Sequence, residues 1–231
     1  INEDLQLSVK QWQDFQLLVQ RHKDGEPVAY ILGVKSFWKH DFVVTPACLI
    51  PRPDTECLLE WVLHNFPENK CLRILEIGTG SGAIACSLAC ARSGWKFVAT
   101  DISAQALEIA RRNAGELNIC NIDFVCSDLF ANIGDAQFDL IISNPPYIAP
   151  NDEHLPDLKY EPQLALVADN SGYDVLFEII TNAKKHMHSG ASLILEHGYQ
   201  QSGTLTDFLR KNSYVDIAAH QDYSKNWRFV T

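Results

Sequence analysis

The chain has no long apolar run. The longest stretch in its 231 residues lies around Ile84 to Ala91, far short of the roughly 20 residues a bilayer span needs, so no membrane span and no membrane partner are expected. The basic start of a signal peptide is also missing, since Glu3 and Asp4 stand there. Cations are scarce: 19 Lys and Arg against 29 Asp and Glu give a net charge of −10. That balance argues against a broad phosphate-tracking surface and leaves room only for a local basic patch, so direct contact with nucleic acid is not expected. No Cys-x-x-Cys pair occurs among the seven cysteines, which are odd in number and scattered through apolar segments. They read as reduced core residues of a cytoplasmic protein. Cys86 and Cys90 lie one helical turn apart without a His at ligand spacing, so no metal site is expected. There is no internal repeat and no low-complexity tract.

What is present is a core. Hydrophobic residues make up 46% of the chain, enough for one good-sized α/β domain with a small appendage. Leu5, Val9, Trp12, Phe15 and Val19 recur at helical spacing over 5–23, a face that must pack on something. Gly25-Glu26-Pro27 ends that helix, and two short strands, Tyr30 to Trp38 and Phe42 to Thr45, are predicted around the turn Lys39-His40-Asp41. Residues 1–50 therefore read as a helical and β-hairpin appendage, with the main domain at 51–231. The chain opens on Ile1 rather than Met, so a trimmed N terminus is expected.

After Pro51-Arg52-Pro53 a helix is predicted over 54–66, capped by Asp54 or Thr55. Strands near 72–77, 96–101, 122–126, 138–143 and 191–197 then alternate with helices near 82–92, 103–117, 172–187 and 201–212. Tyr214 to Ala219 and Trp227 to Thr231 are expected to pair as an antiparallel edge. His186 and His188 flank Met187 near a predicted helix end, where a solvated or capping role is expected.

Two strand ends carry chemistry. The run Phe138 to Ser143 ends in Asn144-Pro145-Pro146-Tyr147. The Asn144 side-chain oxygen and the Pro145 carbonyl offer two acceptors at fixed separation, and the prolines supply no competing N–H. Such a clamp fits a planar NH2 group. Upstream, Leu72 to Ile77 opens onto Gly78-Thr79-Gly80-Ser81-Gly82, where glycines let the backbone approach a ligand. Asp101, at the end of the next strand, can accept hydrogen bonds from both hydroxyls of a ribose; the competing reading is a cap for the helix beginning at Ser103. Ser127-Asp128 at the third strand's end can accept from an adenine amino group, with Leu129 and Phe130 packing on the ring. Gly78, Gly80 and Ala83 also satisfy the dinucleotide fingerprint, so nicotinamide cofactor binding stays open on these residues alone.

Leu-Glu-Ile-Gly-Thr-Gly-Ser-Gly, then Asp101, then Asn-Pro-Pro-Tyr resembles the S-adenosylmethionine-dependent methyltransferases. More narrowly, the chain resembles the HemK/PrmC protein-glutamine methyltransferases, through Gly25 to Gly33, Phe37-Trp38, Ile50 to Glu56, Glu161-Pro162 with Ala165-Leu166, and Leu195-Glu196-His197-Gly198. The resemblance covers nearly the whole chain. One departure is that the family's N-terminal helical domain is larger than what precedes Gly25 here.

The resemblance implies a Rossmann-like, seven-stranded class I methyltransferase fold with S-adenosyl-L-methionine as cofactor. It implies that Glu76 and the turn Gly78, Thr79, Gly80, Ser81 and Gly82 hold the methionine part, that Asp101 holds the ribose, and that Asp128 with Leu129 lies along the adenine. Asn144 and Pro145 would receive a substrate amide while Asn144 also borders the cofactor, Pro146 would stiffen the turn, and Tyr147 would wall the pocket. The Arg52 to Glu56 segment is expected at the pocket rim. The implied substrate is the glutamine of the Gly-Gly-Gln motif in peptide chain release factors. The same acceptor pair fits a base amino group, so an amino-methyltransferase acting on adenine or cytosine is the nearest alternative. A dinucleotide oxidoreductase and a non-catalytic cofactor-binding protein are more distant ones.

Overall fold

Ser8 opens helix α1 (Val9–Lys23) with a capping box, in which its hydroxyl accepts the Gln11 N–H at 3.2 Å and Gln11 Oε1 accepts the Ser8 N–H at 2.9 Å. The computed structural model describes residues 7–231, so the predicted helix start at Leu5 lies outside the described residues. Within them α1 buries no side chain, and Trp12 and Phe15 are half exposed. The expected packing of this face is not seen among the described residues.

The appendage then departs from expectation. Tyr30 sits in a short helix α2 (Val28–Leu32) rather than a strand, and Gly33 ends that helix in the left-handed region. Tyr30 turns inward and donates to the Cys48 carbonyl at 2.6 Å. Strands β1 (Val34–Phe37) and β2 (His40–Val43) form the predicted hairpin in shorter form. Phe37 pairs with His40, so the turn is Trp38-Lys39, and its first N–H is held by Glu56 Oε1 at 3.0 Å.

The rest alternates much as the patterning predicts: a 3-10 turn (Pro53–Thr55), α3 (Glu56–Asn65), β3 (Arg73–Ile77), α4 (Ala83–Ala91), β4 (Lys96–Asp101), α5 (Ala104–Glu116), β5 (Ile122–Cys126), β6 (Phe138–Ser143), the single turn α6 (Asp169–Gly172), α7 (Asp174–Ala183), β7 (Met187–Glu196), α8 (Ser202–Lys211), β8 (Ala219–Gln221) and β9 (Trp227–Val230). Neither Asp54 nor Thr55 caps α3; both are drawn into contacts described below. Tyr214 to Ala218 is not a strand. Tyr214 instead donates its hydroxyl to the Ile180 carbonyl at 2.8 Å, and the edge strand begins only at Ala219.

The seven-stranded sheet runs β5-β4-β3-β6-β7-β9-β8, parallel from β5 to β7 and antiparallel for the last two strands. Alternate residues face opposite layers. Ile74, Leu140, Ile142 and Ile194 pack with α3, α4 and the hairpin residues Phe37 and Phe42. Leu75, Ile141, Leu193 and Leu195 pack with α7 and α8. The chain leaves β3 toward β4 and β5, then returns to β6 on β3's other side, which makes the β3–β6 boundary a topological switch point. In such sheets the crevice beyond the strands' carboxyl ends binds ligands.

Only Cys48, Cys57 and Cys86 are buried, while Cys71, Cys90, Cys120 and Cys126 are exposed, so the cysteines are not uniformly core residues. His188 is exposed as expected. His186 is not free: its ring stacks on Phe130 with centroids 4.9 Å apart, and Nδ1 lies 3.1 Å from the Ala136 carbonyl.

Candidate active site

Parallel register brings the motif-bearing strand ends to one level. Ile77 pairs with Thr100 on one side and Ser143 on the other, and Asp101 pairs with Cys126. Gly78, Asp101, Ser127 and Asn144 therefore emerge side by side. They border a cavity of about 330 Å³ lined by Glu76, the glycine turn, Asp101, Asp128, Leu129 and Asn144 to Pro146, and roofed by Pro46 to Leu49, Arg52 and Thr55. A second cavity of about 230 Å³ adjoins it, lined by Tyr147, Ile148, Leu158 and Leu166. Leu49, Arg52, Asn144, Pro145 and Ala165 border both. Asn144 and Pro145 thus stand at the partition.

The glycine turn spends three of its five N–H donors. Thr79 N–H donates to the Thr100 carbonyl at 2.8 Å, Gly82 N–H to the Thr79 carbonyl at 2.8 Å, and Gly80 N–H to Asp101 Oδ2 at 2.8 Å. Glu76, 2% exposed, accepts the Thr79 hydroxyl at 2.6 Å and the Ala85 N–H at 3.1 Å through Oε2. The carboxylate therefore occupies the first turn of α4, where a pyrophosphate would otherwise bind. Burial lifts the Glu76 carboxyl to about 8, against the pull of its two hydrogen bonds. Asp101 is not the cap of α5. Ser103 performs that task by accepting the Ala106 N–H at 3.2 Å, while Asp101 Oδ1 accepts the Ser103 N–H at 2.9 Å. Burial raises the Asp101 carboxyl as well.

Gly80 has φ +56°, and a Cβ there would meet no atom of the described residues within 4 Å, so its bare backbone faces the cavity without obstruction. Among the described residues four carboxylates, Glu76, Asp101, Asp128 and Glu178, line this cavity, against a single cation, Arg52. Arg52 is itself paired with the buried Glu161, whose Oε2 also accepts the Ile50 N–H at 3.1 Å. An acidic cavity with three of its five turn amides already used suits a cationic ligand bearing ribose hydroxyls better than a dinucleotide's pyrophosphate. S-adenosylmethionine, with its sulfonium and ammonium groups, fits this donor set. Leu129 lines the cavity at φ 44°, while Phe130 is turned away onto His186 and does not line it.

At the partition, Asn144 Nδ2 donates to Thr55 Oγ1 at 3.4 Å. With its nitrogen end toward Thr55, the carboxamide leaves Oδ1 without a hydrogen bond among the described residues, open to accept one. The next residues are clamped from behind. The Tyr147 hydroxyl donates to Glu196 Oε1 at 3.3 Å, and Gln201 Nε2 donates to the Tyr147 carbonyl at 3.1 Å. Gly172, at φ +84°, lies so close that a Cβ would stand 2.1 Å from that carbonyl.

Residues 55–157 match the family model described as methyltransferase small domain, and residues 1–33 match the PrmC N-terminal domain. The chain is 46% identical over 213 residues to a release factor glutamine methyltransferase of Salmonella typhimurium, covering 91% of this chain and 76% of that protein. It is 43% identical to the Escherichia coli protein of the same name, covering 97% and 82%. The chain belongs to the release factor glutamine methyltransferase family. A crystal structure of a methyltransferase from Pyrococcus furiosus superposes with a TM-score of 0.63 at 19% identity, covering 94% of this chain and 96% of that one. That likeness speaks for the fold alone, the seven-stranded class I methyltransferase fold.

Thr55 lies in the Arg52 to Glu56 segment expected at the pocket rim and does border the cavity, but the individual roles of some contributors were not legible. Thr55 reads as a helix cap, and Asn113 as one polar residue of an amphipathic helix. Yet Asn113 is fully buried and bonds Val43 N and O at 2.8 and 3.0 Å and the Ser81 carbonyl at 2.8 Å, tying the hairpin to the glycine turn. Glu196 did leave a signal. Like Glu76 after Ile74-Leu75, it is an ionisable residue closing an apolar strand, here Leu193-Ile194-Leu195. Among the described residues no three His, Cys, Asp or Glu side chains cluster to hold a metal ion, and no helix is long and apolar enough to cross a membrane.

Proposed function

We propose that this protein transfers the methyl group of S-adenosyl-L-methionine to the side-chain amide nitrogen of the glutamine in the Gly-Gly-Gln motif of peptide chain release factors. The observation that carries the reading is the partition. One acidic cavity suits the cofactor, an adjoining cavity suits a glutamine side chain, and two oxygen acceptors stand between them. Glu76 and the turn Gly78 to Gly82 hold the methionine part, Asp101 the ribose, and Asp128 with Leu129 the adenine. The cofactor, when bound, supplies an electrophilic methyl on a sulfonium.

An amide nitrogen is a poor nucleophile because its lone pair is delocalised into the carbonyl. Asn144 Oδ1 and the Pro145 carbonyl each accept one N–H of the substrate NH2, which turns the nitrogen toward the cofactor side of the partition. Both hydrogen bonds strengthen as positive charge develops on nitrogen, so they favour the transition state over the bound substrate. Holding the two reactants in line contributes further, up to about 7–11 kcal/mol in good cases. The prolines present no N–H to compete, and Tyr147 packs its ring along the glutamine side chain. No general base is needed, because the nitrogen becomes acidic only as the new bond forms and can release its proton to water.

Residues 1–50 serve on this reading as the release-factor docking appendage and 51–231 as the catalytic domain. All seven cysteines are unpaired, which suits the reducing cytoplasm where release factors work. Mass spectrometry of a release factor incubated with this protein and S-adenosylmethionine tests the proposal. One added methyl on the Gly-Gly-Gln glutamine is expected, and an unmodified glutamine at full cofactor occupancy would refute it.

A further inference from the structure

Behind the partition lies a carboxylate that the transfer step leaves unused. Glu196 ends β7 and is 1% exposed. Its Oε1 accepts the Tyr147 hydroxyl. Its Oε2 is sealed from solvent and, among the described residues, meets no partner in full hydrogen-bonding geometry, although the Thr55 hydroxyl is near enough to favour the charged form. Thr55, 3% exposed, in turn accepts Asn144 Nδ2. A hydroxyl that accepts from an amide has one hydrogen left to give, and Glu196 is the carboxylate that faces it.

We propose that Glu196 is a positioning residue that sets which end of the Asn144 carboxamide meets the substrate. The ionised carboxylate draws the Thr55 hydrogen toward itself, so Thr55 presents only a lone pair to Asn144. Asn144 must then offer it Nδ2, which keeps Oδ1 free for the substrate NH2. A protonated Glu196, or a glutamine in its place, brings a donor of its own to this cluster. The Thr55 hydrogen is then released toward Asn144, and the carboxamide turns over to accept it through Oδ1. The end left for the substrate is an NH2 facing an NH2, which orients nothing. The inference rests on the reading that Asn144 receives the substrate amide.

The surroundings of Glu196 set the pH at which this reversal occurs. Burial lifts its carboxyl to about 7, opposed by Thr55, by Arg228 on β9 and by Tyr147. Asp54, ahead of α3, pushes in the same direction as burial. Arg228 is shared with Asp222 at 3.0 Å and with Asp54 at 3.2 Å, so its charge is not spent on Glu196 alone. Cys57 on α3 also faces Glu196, with its thiol pushed up by burial. The neighbouring His197 is held toward its neutral form by burial, with Nδ1 2.8 Å from the Gly198 carbonyl. Glu196 is the group in this cluster placed to change charge near neutrality.

The test is steady-state methylation of a release factor from about pH 6 to about pH 9, with S-adenosylhomocysteine affinity measured by calorimetry. Wild-type kcat is expected to fall on the acid side with a midpoint near 7. In Glu196→Gln that limb disappears and kcat drops at least tenfold across the range, while KM and S-adenosylhomocysteine affinity change less than about twofold. If Glu196→Gln does not fold, Thr55→Val and Thr55→Ser carry the question. Val, which has no hydroxyl to relay, is expected to lose the acid limb and the rate, and Ser to restore both. Wild-type kcat and an intact acid limb in Glu196→Gln or Thr55→Val overturn the inference alone. A wild-type enzyme that leaves the release factor unmethylated overturns the functional reading and this inference with it.

Discussion

The loops that follow β3 and β6 leave neighbouring strands at one level, yet they satisfy themselves in opposite ways. After β3 the partners are close in sequence: Thr79 with Glu76 three residues away, Ala85 with Glu76 nine away, and Gly80 with Asp101 twenty-one away. After β6 the partners are distant: Asn144 with Thr55 at a separation of 89 residues, Tyr147 with Glu196 at 49, and Tyr147 with Gln201 at 54. The first loop is a largely local cradle, with Asn113 at a separation of 32 residues as its one longer tie named above. The second is an acceptor pair held in place by tertiary structure, and its accuracy depends on elements brought together from across the chain. Cofactor binding and methyl transfer should therefore fail separately, and substitutions can show whether they do.

The largest expected effect is on the transfer side. Asn144→Ala removes one of the two acceptors and should lower kcat by at least 10²-fold, about 2.7 kcal/mol of barrier, with cofactor affinity nearly unchanged. Near-normal turnover would remove Asn144 from the mechanism. Gly172→Ala comes next. Its Cβ would stand 2.1 Å from the Tyr147 carbonyl, at a φ of +84° that alanine disfavours. Backbone must move, at a cost of about 2 kcal/mol. Thermal unfolding should show that loss, and kcat should fall while cofactor affinity survives.

The same contrast explains what the sequence discloses. Strands β4, β5 and β6 begin and end where patterning placed them; β4 and β6 lie inside the sheet and read as near-continuous apolar runs, whereas β5 is an edge strand with no buried residue and is marked by alternation instead. The glycine turn and Asp101 are legible for the same reason, each lying at the end of its own strand. Tyr30 misleads because a one-turn helix ended by Gly33 has too few residues to show a period. Tyr214 misleads because its aromatic ring packs under α7 rather than in a ladder. Thr55 looks like a helix cap, and only the fold reveals that it faces Asn144. Phe130 reads as part of the adenine wall, but His186 offers it a partner some fifty residues downstream that no local pattern announces.

On the cofactor side, Asp101→Ala should weaken S-adenosylmethionine binding by about tenfold or more, equivalent to about 1.4 kcal/mol. On the proposed reading the ribose loses its acceptor, and the Gly80 and Ser103 N–H groups lose theirs. At saturating cofactor kcat should recover to within a few-fold of wild type. A kcat defect that saturation does not repair would show that the two loops are coupled rather than separable.

The smallest effect concerns Glu76 and follows from its proton. Burial holds its carboxyl at about 8 in the folded, unliganded protein, well above the ordinary carboxylate value that the unfolded chain would show. Because the folded-state value is raised, this group's contribution to stability is full at acid pH and is lost as the pH rises toward 8. A cation bound beside Glu76 favours the charged form, so cofactor binding below pH 8 should expel a proton. Affinity should then climb by at most about tenfold per pH unit from neutrality and level off above 8. Calorimetry of S-adenosylmethionine binding in buffers of different ionisation enthalpy reads that proton directly. Glu76→Gln should bind more weakly, show no proton release and unfold with less dependence on pH. A wild-type protein that binds without releasing a proton would move the cofactor's charged end away from Glu76 while leaving the acceptor pair at Asn144 and Pro145 untouched.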